Sequence, residues 1–233
     1  MSLPWRELYP TNFTMTSLLP IGVLISGSGT NLQAIIDAIQ RGEVSATIQV
    51  VISNNPEAYG LKRAQKCGIP TAIIPHKAFP SREAFEAELI SILQMHGVEL
   101  VVLAGFMRLL SPFFIRTFIH RIMNIHPALL PAFSGTHAQK QTLERGVRIA
   151  GATVHFVDEE MDHGPIIAQA AVPVFSDDTE ETLSARILIQ EHRIYPQAIQ
   201  LYAEKRLQIQ GNKVVILNEQ HSPKSVLRLP ELS

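Results

Sequence analysis

In the stretch Met123 to Pro131 (MNIHPALLP) an amide and an imidazole stand two residues apart at the end of the run Ile119 to Ile125, and a proline follows at once. Read as a strand, the run alternates its side chains between faces, so Asn124 and His126 point the same way. Pro127 cannot donate to a sheet ladder, so the strand ends where the histidine sits. A fixed hydrogen-bond donor beside a titratable one at the mouth of a sheet is what a tetrahedral oxyanion requires. Taken alone, the ordinary reading of the same two residues is a polar strand end with a hydrogen-bonded histidine. Partner groups elsewhere in the chain must separate these readings.

One partner is in the segment Asp158 to Pro165 (DEEMDHGP), where four carboxylates are followed by a rigid Gly164-Pro165 turn. A solvated acidic loop is the ordinary reading of such a segment. The turn nevertheless fixes Asp162, and a fixed carboxylate could orient His126, balance its charge and accept a proton through water. His155 and His163 suggest no role by themselves, and no ligand spacing makes a zinc set.

A second chemical feature is Ser26 to Asn31 (SGSGTN). It falls between an apolar run and a helical pattern, where backbone N–H groups and the helix dipole favour an anion. The sixth position of a G-x-G-x-x-G fingerprint is Leu32, and the next strand ends in Ser53-Asn54-Asn55 without an acidic residue, which argues against a dinucleotide. No Gly-Lys-Ser/Thr follows, so it is not a P-loop. Ser28 lacks the flanking glycine of a nucleophile elbow. A single phosphate fits, with Thr30 and Asn31 adding side-chain donors. A tight turn with a helix cap is the alternative.

The elements that must position these groups follow from apolar patterning. Strands are expected at Ile21–Ser26, Ile48–Ser53, Thr71–Ile74, Leu100–Ala104 and Arg121–Ile125. Helices are expected at Thr30–Gln40, Tyr59–Lys66, from Ser81 onward, and at Pro112–Phe118. Strands that are near-continuous apolar runs, alternating with helices, imply a parallel sheet covered on both faces. After Pro131 the pattern changes to a short helix (Ala138–Arg145), two longer strands (Val147–Val157, Ile166–Val174), a helix from about Thr179 to Ala203, and two short strands near Leu207 and at Val214–Leu217.

The 233 residues, 46% hydrophobic and 18% charged, suit one large α/β domain. A net charge of −1 gives no electrostatic case for nucleic acid or a membrane surface. The single cysteine, Cys67, excludes an internal disulfide and any multi-cysteine metal site. No apolar run approaches the roughly 20 residues of a membrane span, and Met1 to Pro20 does not read as a signal peptide. The expected location is the cytoplasm.

With these residues in place, the chain resembles the phosphoribosylglycinamide formyltransferases, a folate-dependent family of purine synthesis, from about Ile21 to Leu207. The motifs are Ile25–Gln33 (ISGSGTNLQ), Ala104–Leu110 (AGFMRLL), Asn124–Pro131 (NIHPALLP), Met161–Ile167 (MDHGPII) and Gln190–His192 (QEH). The resemblance implies a three-layer, doubly wound α/β fold. Its mostly parallel, Rossmann-like sheet would carry an antiparallel strand in the C-terminal half. It implies an N-terminal extension over residues 1–20 and one formyltransferase domain over 21–233. Asn124, His126 and Asp162 match the family's catalytic set. Gly29, Thr30, Asn31 and Glu191 match the glycinamide ribonucleotide site, with Glu191 on the ribose. Arg82, Met107, Arg108, Leu109, Leu110, Asn124 and Asp158 match the site of 10-formyltetrahydrofolate. That folate is a co-substrate; no tightly bound cofactor or metal is implied, and the partners are small molecules. A homodimer is compatible with the sequence and not required by it.

Three positions depart from the family pattern. His163 stands where many relatives have a small residue. Gln139 replaces a histidine found in some members. The N-terminal extension has no counterpart. Two related activities compete: formyltetrahydrofolate hydrolase, which usually adds an N-terminal regulatory domain and has His where Pro127 stands, and methionyl-tRNA formyltransferase, which usually adds a C-terminal RNA-binding domain. A non-catalytic sugar-phosphate sensor would use the glycine loop alone and leave Asn124, His126 and Asp162 unexplained.

Overall fold

The computed structural model describes residues 18–219. Its first half is a run of parallel strands and helices: β1 (Leu19–Ile25), α1 (Thr30–Gln40), β2 (Ala46–Ser53), α2 (Tyr59–Lys66), β3 (Thr71–Ile73), α3 (Arg82–Met95), β4 (Leu100–Leu103), α4 (Pro112–Thr117) and β5 (Ile122–His126). The second half comprises α5 (Ala138–Arg145), β6 (Ile149–Phe156), β7 (Ile166–Pro173), α6 (Glu180–Ala203), β8 (Leu207–Gln210) and β9 (Lys213–Ile216). All nine strands form one sheet in the order β3-β2-β1-β4-β5-β6-β7-β9-β8. The pairings β1–β2, β1–β4, β2–β3, β4–β5 and β7–β9 are parallel, while β6 is antiparallel to both neighbours and β8 to β9. The mostly parallel α/β sheet expected from the sequence is therefore present, with two reversed strands where one was expected.

Period-two alternation divides the buried strand residues between two cores. Ile21, Val23 and Ile25 of β1 and Leu100 and Val102 of β4 pack with Leu32 and Ile35 of α1 and Ile187, Tyr195 and Ala198 of α6. Leu24, Val101 and Leu103 face the other way, onto Phe85 and Leu89 of α3 and Phe114 of α4. Strands buried on both faces have to be apolar at every position, which is why β1 and β4 read as unbroken runs.

Three of the helix starts, those of α3, α4 and α6, are set by side-chain caps. Ser81 accepts the Ala84 N–H at 3.1 Å, Ser111 accepts that of Phe114 at 3.4 Å with Pro112 behind it, and Thr179 forms a reciprocal capping box with Thr182. Only residues 18–20 of the expected extension are described, and Leu19 and Pro20 already belong to β1. Pro20 is tolerated there because it precedes the β4 pairing, which begins at Ile21↔Leu100.

The order places β1 between β2 and β4, so the chain reverses its winding there. The loops after β1 and β4 thus leave the sheet side by side, at the crevice where open α/β sheets take ligands. Behind that edge, the fully buried Tyr195 of α6 shares its hydroxyl hydrogen between the carbonyls of Leu103 (3.0 Å) and Met123 (2.8 Å). This locks the ends of β4 and β5 to one helix. Burial drives the Tyr195 hydroxyl well above its ordinary pKa, so it remains a donor.

Candidate active site

His126 closes β5 and is 5% exposed. Its Nε2 lies 2.8 Å from the carbonyl of Phe133, a residue in the left-handed region (φ 56°) that turns this oxygen inward. A carbonyl only accepts, so Nε2 carries a hydrogen and donates it to Phe133 O. Nδ1 lies 3.4 Å from Asp162 Oδ2. The loop between β5 and α5 is held by Thr153 of β6, whose hydroxyl donates to Ala128 O (2.7 Å) and accepts from Leu130 N–H (3.0 Å).

Asn124 shares the face of His126 and pairs across the sheet with His155 of β6. His155 Nδ1–H donates to Phe156 O (2.8 Å), leaving Nε2 to accept from Asn124 Nδ2 at 3.2 Å. One amide hydrogen of Asn124 is thereby spent on orientation and the other is left for the cavity. Burial lowers the pKa of His155, against opposing contributions from its Phe156 bond and from Asp162, and so favours the neutral acceptor form this geometry needs.

Asp162 adopts φ 54°, a left-handed conformation that aspartate accepts more readily than most residues. Its Oδ2 accepts the Gly135 N–H at 2.7 Å, and its Oδ1 lies 3.9 Å from His155 Nε2. A Cβ at Gly164 would stand 2.0 Å from the Phe156 carbonyl, so the turn after Asp162 can press against β6 only with glycine there. His163 pairs with Asp158 Oδ2 (2.9 Å), not with Asp162; that bond and the charge of Glu160 raise its pKa.

Asn124, His126, His155 and Asp162 line a cavity of about 620 Å³. Its opposite wall is the loop after β4, where Met107, Arg108, Leu109 and Leu110 line the space. Among the described residues, the backbone N–H groups of 108–110 have no hydrogen-bond partner, so a flat heterocycle can meet an open backbone edge. Leu103, Ile115 and Val157 supply apolar surface, and Asp158 stands on the loop that closes the rim. The loop after β4 is tethered at its far end by Glu86, a buried carboxylate of α3 that accepts both the N–H and the hydroxyl hydrogen of Ser111.

The glycine loop has a distinct back and front. Its carbonyls are taken from behind: Ser26 O by Asn55 Nδ2 (3.3 Å), Gly27 O by Gly60 N–H (3.1 Å), and Ser28 O by Arg63 Nε (2.9 Å). Among the described residues, the N–H groups of Gly27 to Asn31 have no partner. Donors bunched at the start of α1 with their carbonyls turned away form an anion site. Gly29 has φ +70°, and a Cβ there would meet the Gly60 Cα at 2.5 Å. Only glycine lets the two segments touch. The Asn31 side chain, expected as a donor to the anion, spends one Nδ2 hydrogen on buried Glu191 at 2.7 Å, and its Oδ1 is buried without a partner. Burial raises the pKa of Glu191, opposed by the Asn31 bond and by the charge of His126.

Asn124, His126, Asp162, Asp158 and Met107 to Leu110 therefore meet around one cavity. Gly29, Thr30, Asn31 and Glu191 gather at the neighbouring loop and outside that cavity's lining. Arg82 is not brought to the cavity; its Nε lies 3.3 Å from Glu86 at the start of α3. Sequence reasoning missed His155, the Phe133 carbonyl and the Gly135 N–H. The available signal was an imidazole inside an otherwise apolar strand, since a buried polar group needs partners. Among the described residues no cluster of three or more His, Cys, Asp or Glu could hold a metal ion, and no helix is long and apolar enough to cross a membrane.

A Rossmann-like sheet with paired oxyanion-type donors at its edge suits the α/β group-transfer enzymes, and the chain belongs to the formyl transferase family, whose model matches residues 19–199. Among individual relatives, the chain is 49% identical over 192 residues to phosphoribosylglycinamide formyltransferase of Escherichia coli, covering 82% of this chain and 91% of that one. The crystal structure of glycinamide ribonucleotide transformylase 1 from Symbiobacterium toebii superposes with a TM-score of 0.86 at 55% identity, over 87% of this chain and 95% of that one. More distant is a formyltetrahydrofolate deformylase from Pseudomonas syringae: TM-score 0.80, 29% identity, 86% of this chain and 66% of that one.

Proposed function

We propose that this protein transfers the formyl group of 10-formyltetrahydrofolate to the primary amine of glycinamide ribonucleotide, a step of purine biosynthesis. The observation that carries this reading is the convergence of Asn124, His126 and Asp162 on the cavity wall facing the open backbone edge of residues 108–110. The adjacent anion loop supports a phosphorylated acceptor, with Gly29, Thr30 and Asn31 offering backbone N–H groups and Glu191 accepting from ribose hydroxyls.

The amine attacks the formyl carbon and gives a tetrahedral oxyanion. Asn124 Nδ2–H and the Nδ1–H of protonated His126 stabilise it, one such donor being worth about 3 kcal/mol. Asp162 faces the same Nδ1 at 3.4 Å, so the imidazolium charge is balanced while the oxyanion lasts. Collapse breaks the bond between the formyl carbon and folate N10. The proton lost by the amine passes through water and Asp162 to N10, so that formylglycinamide ribonucleotide and tetrahydrofolate leave in balance. Holding two substrates in register supplies much of the remaining acceleration. No step calls for a metal or a covalent enzyme intermediate. A cytoplasmic location suits these small-molecule substrates, and the chemistry needs one chain only.

The likeness to a deformylase gives the hydrolytic reading a specific basis. Absorbance of the folate during turnover, followed with and without glycinamide ribonucleotide, distinguishes the two. Turnover that requires the ribonucleotide supports the transferase. Equal turnover without it assigns the formyl group to water, and none in either case points to a sugar-phosphate sensor.

A further inference from the structure

We infer that Ser26 couples the two substrate loops, so that occupancy of one changes affinity for the other through a single hydroxyl group. This rests on the transferase reading, which assigns the loop after β1 to the phosphorylated acceptor and the loop after β4 to the folate.

Ser26 is the residue between β1 and the glycine loop. Its N–H donates to Gly105 O at 3.0 Å, and its Oγ accepts the Met107 N–H at 2.8 Å. One residue thus clamps the folate loop at two backbone points, immediately before the open edge of residues 108–110. The hydroxyl hydrogen is committed to Asn54 Oδ1 at 2.6 Å, which fixes the rotamer and aims the lone pair at Met107. Asn54 is in turn held by His76, Nδ2 to Nδ1 at 3.3 Å. The Ser26 carbonyl is the first of the three bonded from behind, by Asn55.

A phosphate that orders the N–H groups of Gly27 to Asn31 fixes the backbone leading out of Ser26, and with it the acceptor presented to Met107. By linkage, folate bound at the β4 loop must favour the phosphate loop by the same factor. The bond is short, local and shared by both loops, and nothing in the transfer chemistry uses it.

The test is a binding square by calorimetry on the full chain. Affinity for a non-transferable 10-substituted folate analogue is measured with and without saturating glycinamide ribonucleotide, in wild type, Ser26→Ala and Ser26→Thr. The readout is the ratio of the two affinities, which a general loss of stability does not move. We expect wild type to bind the analogue more tightly when the ribonucleotide is present. Ser26→Ala should reduce that ratio by about 2- to 10-fold, the worth of one neutral hydrogen bond. Ser26→Thr, which keeps the hydroxyl, should retain it. If the alanine variant does not fold, Ser26→Cys replaces it, since a thiol is a weak acceptor. Equal ratios in wild type and the hydroxyl-free variant overturn the coupling alone, as does a wild type that binds both ligands independently. A wild type that binds neither ligand overturns the transferase reading with it.

Discussion

Replacing Asp162 by asparagine removes the charge at the centre of the site together with its proton relay. The side chains are isosteric, both residues tolerate the left-handed backbone at φ 54°, and an asparagine oxygen can still accept the Gly135 N–H. What is lost is a negative charge 3.4 Å from His126 Nδ1, with both side chains nearly enclosed. At an effective dielectric constant of about 20, that attraction is about 5 kcal/mol for the imidazolium. A neutral hydrogen bond recovers about 1 kcal/mol of it. The amide NH₂, if turned toward Nδ1, also favours the neutral ring, which cannot donate to an oxyanion. The net electrostatic loss of about 4 kcal/mol corresponds to a fall in kcat of at least about a thousandfold, with loss of the proton relay adding to it. KM for either substrate should move by less than about threefold, because the loss is confined to the transition state. The assay is folate absorbance at saturating glycinamide ribonucleotide, with circular dichroism to confirm folding. A folded variant that retains more than a tenth of wild-type kcat would refute the reasoning.

Three further outcomes follow from the same geometry. His155 has its pKa lowered by burial, so the unfolded chain takes up a proton below about pH 6.5 that the folded chain resists. Stability should therefore fall as pH drops through about 6.5 toward the lowered folded value, by at most about 1.4 kcal/mol per unit; urea midpoints of wild type and His155→Leu that run parallel over pH 5 to 7.5 would contradict this. Gly29→Ala forces a side chain into the left-handed region and against Gly60, so the fold should lose at least 1–2 kcal/mol by roughly the left-handed penalty alone, and calorimetric affinity for glycinamide ribonucleotide should drop about tenfold. Tyr195→Phe leaves the buried carbonyls of Leu103 and Met123 without their donor. Scanning calorimetry should show a loss of about 1–3 kcal/mol, with kcat changed far less than by Asp162→Asn.

The fold was legible where burial leaves one solution. The runs at β1 and β4 have no polar face, and the sequence places β1, β2, β4 and β5 to within two residues. Pro20 hid the start of β1, because its missing N–H is harmless only ahead of the β4 pairing. Of the site, Asn124, His126 and Asp162 were legible because alternation and the Gly164-Pro165 turn are local effects. The orienting groups were not. Phe133 contributes a carbonyl and Gly135 an N–H, and main-chain atoms leave no trace in residue identity. Asn31 offers an amide that either an anion or a carboxylate could use, and only the approach of Glu191 from α6, 160 positions away, decides between them. His155 was invisible as a site residue because its role depends on which residue β6 sets opposite Asn124, a matter of register and not of spacing.

That register is itself held in place. Asn124 faces His155 and His126 faces Thr153 in the antiparallel pairing of β5 and β6. A slip by one residue would put Val154 opposite Asn124 and turn His155 to the other side of the sheet. Thr153 resists the slip: its hydroxyl is bonded to Ala128 O, Leu130 N–H and Gln169 Nε2, and none of the three could follow a shifted strand. On the far side of β6 the ladder is irregular, passing from Val154↔Ala168 to His155↔Ile166, so β7 carries an extra residue beside the histidine. A bulge there adds local twist without disturbing the β5 pairing, the usual means by which a sheet re-aims one side chain next to a site. The reversed strand β6 therefore does what a parallel partner to β5 would not do here. Through its register it brings an acceptor to Asn124, and through the turn that follows it brings Asp162 to His126.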